Sequence, residues 1–447
     1  MLIGFLTRCF EKNKEKDAIV WQDRVWNYQW LLTRLQHWQA VLKSEAIRQG
    51  SVVILEADFS PDSIALFLAL IQQCCITVPL TRTAGVRKDE LIKAAQGEVV
   101  FTLDNNDRVT INRLNNSSPH ELYRQLRKSG HPGLVLFSSG SSGKSKAVLH
   151  DWTGLLEKFK LPRHTFRVIP FLLYDHIGGI NTLVYALSNG GCIVTVRDRS
   201  PDSVLEAVEK YQVELLPVSP TFLNLILLSE AYQRYRLDSL KIVSYGTEPM
   251  PESTLKRFRQ LFPGIQLLQT YGLTEVGILR SKSESSDSLW MKVGGDGFRT
   301  RVVDGILQIK ARSSMLGYLN APSPFTSDGW FDTGDLVEVK GEYLRILGRQ
   351  SEIINVGGEK VYPAEVESVI QEMENVFEAV VYGEKNPITG NIVCAKIRLK
   401  TLESLKEFSM GLKKHCRERM QNYKVPVKVT LIEEEQRSER FKKLRAA

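Results

Sequence analysis

The chain reads as an α/β protein that closes with a smaller α+β unit, and three observations predict this. Short β-type apolar runs alternate with longer amphipathic stretches through the first three quarters. From about Ser288 the texture turns to hairpin-like strands, and the last stretch is a compact series of helix, two strands, helix and strand.

Taken in order, Val52 to Leu55 is a strand followed by SPDSIALFLALIQQ, where Ser60 or Asp62 can cap a helix that Pro61 begins. Thr77–Pro79, Val99–Thr102, Leu134–Phe137, Ile193–Val196, Leu215–Val218, Ile242–Ser244 and Leu267–Leu268 are further strand candidates, each bordering a helical pattern such as SPDSVLEAVEKY. That regular exchange implies layered, mostly parallel sheets. GILQIKAR, a turn at SDGWFDTGD and EYLRILGR give the hairpin region. Then come the helix PAEVESVIQEM, the strands EAVVYG and IVCAKIRL, a long helix from Leu402 to about Gln421 and the strand VKVTLI. The Gly348–Gly358 stretch separates this end unit from the body, which divides the chain into 1–348 and 349–447.

With 447 residues, 43% of them apolar and 25% charged, the composition excludes general disorder and allows two or three domains with substantial cores. The formal charge of +8 is uneven: residues 413–445 carry eleven basic and five acidic side chains, which accounts for +6 of it. Charge of this kind faces nucleic acid, an acidic membrane or a phosphorylated small molecule, and does not choose among them. Six scattered cysteines without a CxxC pair point to a reducing, cytoplasmic setting. MLIGFLTRCFEKNKEK is too soon interrupted by charge for a secretory signal, and no apolar run approaches the ~20 residues of a membrane span. The seven histidines show no HExxH or paired Cys/His spacing, so zinc is not expected.

The strongest local signal is GLVLFSSGSSGKSKAVLH, Gly133 to His150. A strand runs into a Ser/Gly loop ending at two lysines, the composition of a loop that wraps phosphate oxygens with N–H groups and hydroxyls. It nearly satisfies GxxxxGK[ST] through Gly143, Lys144 and Ser145, but Ser138 stands where the first glycine belongs. A flexible linker and a P-loop NTPase are the alternatives at this point. Tyr271-Gly272-Leu273-Thr274-Glu275 follows a strand and projects a hydroxyl and a carboxylate suited to a metal-bound phosphate. Asp332-Thr333-Gly334-Asp335 places carboxylates in a tight turn, with Asp335 able to accept two ribose hydroxyls. Gly348-Arg349 and Asn355–Pro363 follow.

Together and in this order, these segments make the chain resemble the adenylate-forming, AMP-binding superfamily of acyl-CoA and aryl-CoA synthetases, luciferase and peptide-synthetase adenylation domains, over essentially its whole length. The resemblance implies a large N-terminal domain of two α/β subdomains plus a β-barrel-like one, with a small mobile α+β C-terminal lid. It also implies an activity: ATP-dependent conversion of a carboxylic acid to an acyl adenylate, then transfer to the thiol of CoA, with Mg²⁺ as cofactor. Transfer to the phosphopantetheine of a carrier protein acting in trans is the alternative acceptor. A nucleotide-binding protein without catalysis is the alternative of another class, and no nucleic-acid partner is expected.

Residue by residue, the resemblance assigns phosphate contacts to Ser138, Ser139, Gly140, Ser141, Ser142, Gly143 and Lys146, with Ser145 and Ala147 replacing the usual proline and glycine. Gly246, Thr247, Glu248 and Pro249 match the loop beside adenine, and Tyr271 and Gly272 its other face. Thr274 matches an α-phosphate contact and Glu275 the Mg²⁺ carboxylate. Asp335 matches the ribose ligand, and Arg349 the arginine near ribose and phosphates. Lys442, counted from Lys424-Val425-Pro426, matches the lysine that reaches the reacting carboxylate, although Phe441 replaces the usual glycine beside it and Lys443 competes. Ser351 stands at the hinge in place of the usual Asp or Lys, and Val356–Lys360 would line the thiol tunnel. Phe171, His176, Val218, Gly246, Thr270 and Gly272 outline an acyl pocket for an aromatic or medium-length aliphatic acid, with His176 near the carboxylate. Leu172 stands where amino-acid-activating domains carry Asp, which disfavours a free α-amino acid.

Overall fold

The computed structural model describes residues 2–139 and 145–433. Gly140, Ser141, Ser142, Gly143 and Lys442 lie outside the described residues.

Two seven-stranded sheets form the body, each largely parallel, the first with one antiparallel edge and the second with antiparallel strands on both sides. In the first, Gln266–Gln269, Ile242–Tyr245, Leu215–Val218, Arg167–Val168, Cys192–Val194 and Asp17–Trp21 run parallel, with Arg24–Asn27 as the antiparallel edge. In the second, Gly133–Ser139, Ile76–Leu80, Val52–Glu56 and Val99–Leu103 are parallel. Val109–Arg113 borders one side of it antiparallel; Ser145–Asp151 and then Gly317–Tyr318 border the other. The buried residues of Val52–Glu56 and Ile76–Leu80 explain their continuous apolar reading, since a central parallel strand has helices on both faces.

One core joins the two sheets. Phe67 of the helix Pro61–Gln72 meets Trp152 and Tyr174 edge-on, at ring separations of 5.6 and 5.1 Å, and the same core takes in Leu31, Leu35 and Trp38 of the helix Tyr28–Ser44 that follows the first sheet's edge strand. A six-stranded antiparallel sheet built from Ser281 to Arg349 follows, in the place where the barrel-like unit is expected. The chain ends in a smaller domain: Val376–Asn386, Gly390–Leu399 and Lys428–Leu431 form a sheet packed on the helices Pro363–Ile370 and Leu405–Arg417 around its own apolar core. No helix among the described residues is long and apolar enough to cross a membrane, and all six cysteines are free thiols.

Two expectations are corrected. The segment Asp332-Thr333-Gly334-Asp335 is not a tight turn. It lies inside the strand Phe331–Lys340 and bulges where Gly334 takes φ +67° and Asp332 accepts the Gly334 N–H at 2.9 Å. The reversal comes earlier, at Thr326–Trp330. The late helix is also shorter than Leu402–Gln421, because the Ser404 hydroxyl accepts the Glu407 N–H and starts it at Leu405.

The helix Pro61–Gln72 is capped as the sequence suggests, with Ser60 and Ser63 bonding reciprocally. Asp107 adds a long-range cap: its carboxylate accepts the Ser60 hydroxyl and, at 2.7 Å, the Asp62 N–H. Burial pushes the Asp107 carboxyl up to about 6, against the opposing pull of those hydrogen bonds. A folded pKa above the unfolded one means the ionised carboxylate weakens the fold as pH rises through 6, a loss absent below the unfolded pKa of about 4. Asp107→Asn should therefore gain about 2 kcal/mol on the wild type between pH 4 and pH 7, read from urea midpoints; a constant difference across that range would overturn the assignment.

Candidate active site

Thr274 and Glu275 sit at the tip of a hairpin in which Gly272 pairs with Ile278 and Leu273 with Gly277. Gly272 is needed there, because a Cβ would lie 2.7 Å from the Gly277 carbonyl. The tip is pinned from three sides. The Met315 N–H donates to the Glu275 carbonyl at 2.7 Å, the Ser313 hydroxyl to the Val276 carbonyl at 2.6 Å, and Lys158 Nζ to the Ile278 carbonyl at 2.7 Å. His150, fully buried, places Nε2 2.6 Å from the Thr274 carbonyl and Nδ1 3.2 Å from that of Ser313. Burial pushes its pKa down, so the ring is neutral with one N–H, which the shorter contact assigns to Nε2.

The Glu275 carboxylate is buried, and Oε1 accepts the Tyr318 hydroxyl at 3.0 Å. Lys146, leaving the Ser/Gly loop, carries Nζ 5.0 Å from the centre of the same ring. Among the described residues no group of three or more acidic, His or Cys side chains forms a protein-only metal cage. A single carboxylate with an oxygen to spare suits Mg²⁺, which takes most of its ligands from phosphates and water.

Asp335 and Arg349 face each other across adjacent antiparallel strands. Arg349 Nε meets Asp335 Oδ1 at 2.8 Å, and the Tyr271 hydroxyl donates to Oδ2 at 2.5 Å. Tyr271 is thus buried, with its phenol committed to Asp335. Burial raises the Asp335 pKa; Arg349 and the Tyr271 bond oppose this, while the charges of Glu352 and Glu275 add to it. Each Asp335 oxygen keeps a second lone pair for an incoming hydroxyl.

The remaining candidates line the carboxyl ends of the first sheet's strands. The Gly246 N–H reaches the Val218 carbonyl at 3.3 Å and the Thr270 N–H the Tyr245 carbonyl at 2.7 Å, which brings Val218, Gly246 and Thr270 side by side. Gly246 is obligatory, since a Cβ would sit 2.7 Å from the Thr270 carbonyl. Glu248 turns away to accept the Thr221 N–H at 2.8 Å, and Pro249 lies beside it against the small domain. Phe171 is buried with its ring centre 4.2 Å from that of Phe222. His176 is the N-cap of the helix Ile177–Ser188, and its Nδ1 accepts the Gly178 N–H at 3.0 Å. That bond leaves Nε2 as the proton-bearing nitrogen of the neutral ring.

Ser138 pairs with Lys146, and Ser139 with Ser145, on the two strands leading into and out of the Ser/Gly loop. Ser351 lies exposed in a short 3-10 turn, Gln350–Glu352. Sequence reasoning missed His150, Tyr318 and Asn320. Each bonds a partner more than forty positions away, which no local spacing signals.

Thr247, next to the obligatory glycine, takes φ +77°, and its buried hydroxyl has no hydrogen-bond partner. A β-branched residue in that region stores on the order of 1 kcal/mol. Thr247→Gly should raise unfolding stability by about that amount in a thermal melt, and a loss instead would show that the hydroxyl contributes more than the strain costs.

Residues 6–294 match the AMP-binding enzyme family and residues 365–442 the AMP-binding enzyme C-terminal domain. A 4-coumarate–CoA ligase-like protein of Arabidopsis thaliana is 28% identical over 66% of this chain, which spans 58% of that protein's length. The indoleacetate–CoA ligase of Aromatoleum aromaticum is 25% identical over 94% of this chain and 92% of its own. The fold is shared with the anthranilate CoA ligase AuaEII, solved with anthranoyl-AMP, at a TM-score of 0.81 and 19% identity over 99% of this chain and 95% of that one. With the family match covering most of its length, the chain belongs to the AMP-binding enzymes.

Proposed function

We propose that the chain activates a carboxylic acid with ATP, forming an acyl adenylate and releasing pyrophosphate, and then transfers the acyl group to the thiol of CoA. The observation that carries this reading is a pair of tyrosine-capped carboxylates: Glu275, bonded by Tyr318 beside the strand that leaves the Ser/Gly loop, and Asp335, near enough to feel the charge of Glu275.

On this reading Asp335 accepts the ribose hydroxyls, and Arg349 opposes the burial that raises the carboxyl's pKa. Gly246 and Tyr271 bracket the adenine, Thr274 meets the α-phosphate, and Ser138, Ser139 and Lys146 belong to the loop around the β- and γ-phosphates. Mg²⁺ at Glu275 would supply charge neutralisation for the triphosphate. A carboxylate oxygen of the acid attacks the α-phosphorus and the bond to pyrophosphate breaks, so the protein's task is to align reactants and stabilise spreading negative charge. Lys442, from the basic tail, supplies that charge at the reacting oxygens. Ser351 is the hinge between a domain of residues 1–348 and one of 349–447, about which the small domain turns between adenylation and thiol transfer.

The acid is an aromatic one. Phe171 and Phe222 offer a buried aromatic wall beside Val218, and relatives named for coumarate, indoleacetate and anthranilate fit that chemistry. The reduced state of all six cysteines agrees with a cytoplasmic enzyme.

Purified protein should catalyse ATP–pyrophosphate exchange only in the presence of a matching aryl acid. Exchange with none of a broad aryl and fatty-acid panel, by folded protein that binds ATP, would instead favour a nucleotide-binding protein without catalysis. Lys442→Ala should slow adenylation on the order of 10² to 10³-fold while thioester formation from supplied acyl adenylate survives. Equal loss of both half-reactions, or loss only in Lys443→Ala, would reassign the tail lysine.

A further inference from the structure

The segment Gly317–Asn320 carries none of the residues assigned above, yet it meets both halves of the phosphate site. Gly317 and Tyr318 pair with Leu149 and Val148 on the strand Ser145–Asp151, and the Leu319 N–H then donates to the Ala147 carbonyl at 2.9 Å. Past that point a side chain continues the ladder. Asn320 Oδ1 accepts the Ala147 N–H at 2.8 Å and Nδ2 donates to the Ser145 carbonyl at 2.9 Å. One amide therefore fixes the two residues on either side of Lys146, at the point where the chain leaves the Ser/Gly loop. Ala147 is fully buried while Asn320 is exposed, so the amide closes over the Ala147 N–H from the solvent side, and without it that N–H would lose its protein partner.

Two residues earlier, Tyr318 stands between opposite charges. Lys146 Nζ lies 5.0 Å from the ring centre, and the hydroxyl donates to Glu275 Oε1 at 3.0 Å. No ion pair joins Lys146 to Glu275 among the described residues, although both border the same ring. The tyrosine holds the two apart and leaves each charge for a ligand.

We propose that Asn320 and Tyr318 are positioning residues for MgATP: Asn320 sets the exit geometry of the phosphate loop and the direction of Lys146, and Tyr318 orients Glu275 while keeping Lys146 from neutralising it. The proposal rests on the adenylation reading for the identity of the ligand. It predicts separate signatures, because Asn320 acts on the loop and Tyr318 on the metal carboxylate.

The test is calorimetric titration of the full chain with ATP at several Mg²⁺ concentrations, without acid, alongside exchange kinetics and thermal melts. Asn320→Ala should weaken ATP binding by about tenfold and raise KM for ATP while leaving KM for the acid unchanged. Asn320→Asp, which keeps the acceptor and loses the donor, should fall between wild type and alanine, and gives the same readout should the alanine variant fail to fold. Tyr318→Phe, which keeps the ring, should raise the Mg²⁺ needed for half-saturation by about tenfold with ATP affinity at saturating Mg²⁺ within about twofold. Tyr318→Ala should impair both. Wild-type protein that binds no MgATP would remove the adenylation reading itself. Wild-type binding matched by every variant to within about twofold, or KM for the acid rising in step with KM for ATP, would overturn the positioning roles alone.

Discussion

The site depends on how one strand, Ser145–Asp151, is held. It runs back from the Ser/Gly loop antiparallel to Gly133–Ser139, and its other edge receives Gly317–Tyr318 from a part of the chain some 170 positions later. From its far end His150 reaches the carbonyls of Thr274 and Ser313. Three segments that are remote in sequence therefore share one rigid reference. A strand paired on both sides has little freedom to slip, since a shift of one residue would turn Lys146 and His150 to the opposite faces. The placement of Lys146 relative to the hairpin carrying Glu275 follows from this pairing.

The charges follow from the same arrangement. Glu275 and Asp335 are both buried, and each bears a tyrosine hydroxyl, Tyr318 on one and Tyr271 on the other. A phenol donor lowers the cost of burying a carboxylate without cancelling its charge, as a lysine or arginine would. Only Asp335 also has an arginine, and Arg349 is half exposed, so that pair is open to solvent on one side. The outcome is one carboxylate balanced by a fixed cation and another left with net charge. On the proposed reading, that asymmetry suits Asp335 to neutral hydroxyls and Glu275 to a divalent ion.

Much of this was legible in the sequence, for reasons that can be named. The strands Val52–Glu56 and Leu215–Val218 and the capped helix Pro61–Gln72 rest on local apolar runs and cap chemistry, which act within a few residues. The resemblance assigned Thr274, Glu275, Asp335 and Arg349 to one site; the structure pairs Asp335 with Arg349 and Tyr271, and Glu275 with Tyr318. The reading of Asp332–Asp335 as a turn failed because composition cannot distinguish a turn from a bulge. Both use Asp and Gly, and only pairing with Ile306–Ala311 decides between them. Tyr318 and Asn320 were invisible for a related reason. Their partners, Glu275 for Tyr318 and Ser145 and Ala147 for Asn320, are remote in sequence, and an isolated Gly-Tyr-Leu-Asn stretch has no period or spacing that announces them.

The contact between body and small domain bears on the proposed two-step cycle. The helix Pro363–Ile370 lies along Glu252–Leu261, and there Ser368 Oγ meets the Ser253 N–H and hydroxyl at 3.4 and 3.5 Å. Phe377 packs on the body's core, and a void of about 20 Å³, room for a single water, remains among Thr221, Glu248 and Gln371. The Ser253–Ser368 contacts are long ones, and Phe377 adds an aromatic contact with the body's core. The same contact also touches Glu248, whose carboxylate holds the Thr221 N–H and so steadies the loop carrying Gly246 and Thr247. Swinging the small domain about Ser351 would expose that flank of the loop, where strain is already stored at Thr247. On the proposed cycle, a turn of the small domain would thus change the surroundings of the glutamate that holds the loop carrying Gly246 and Thr247.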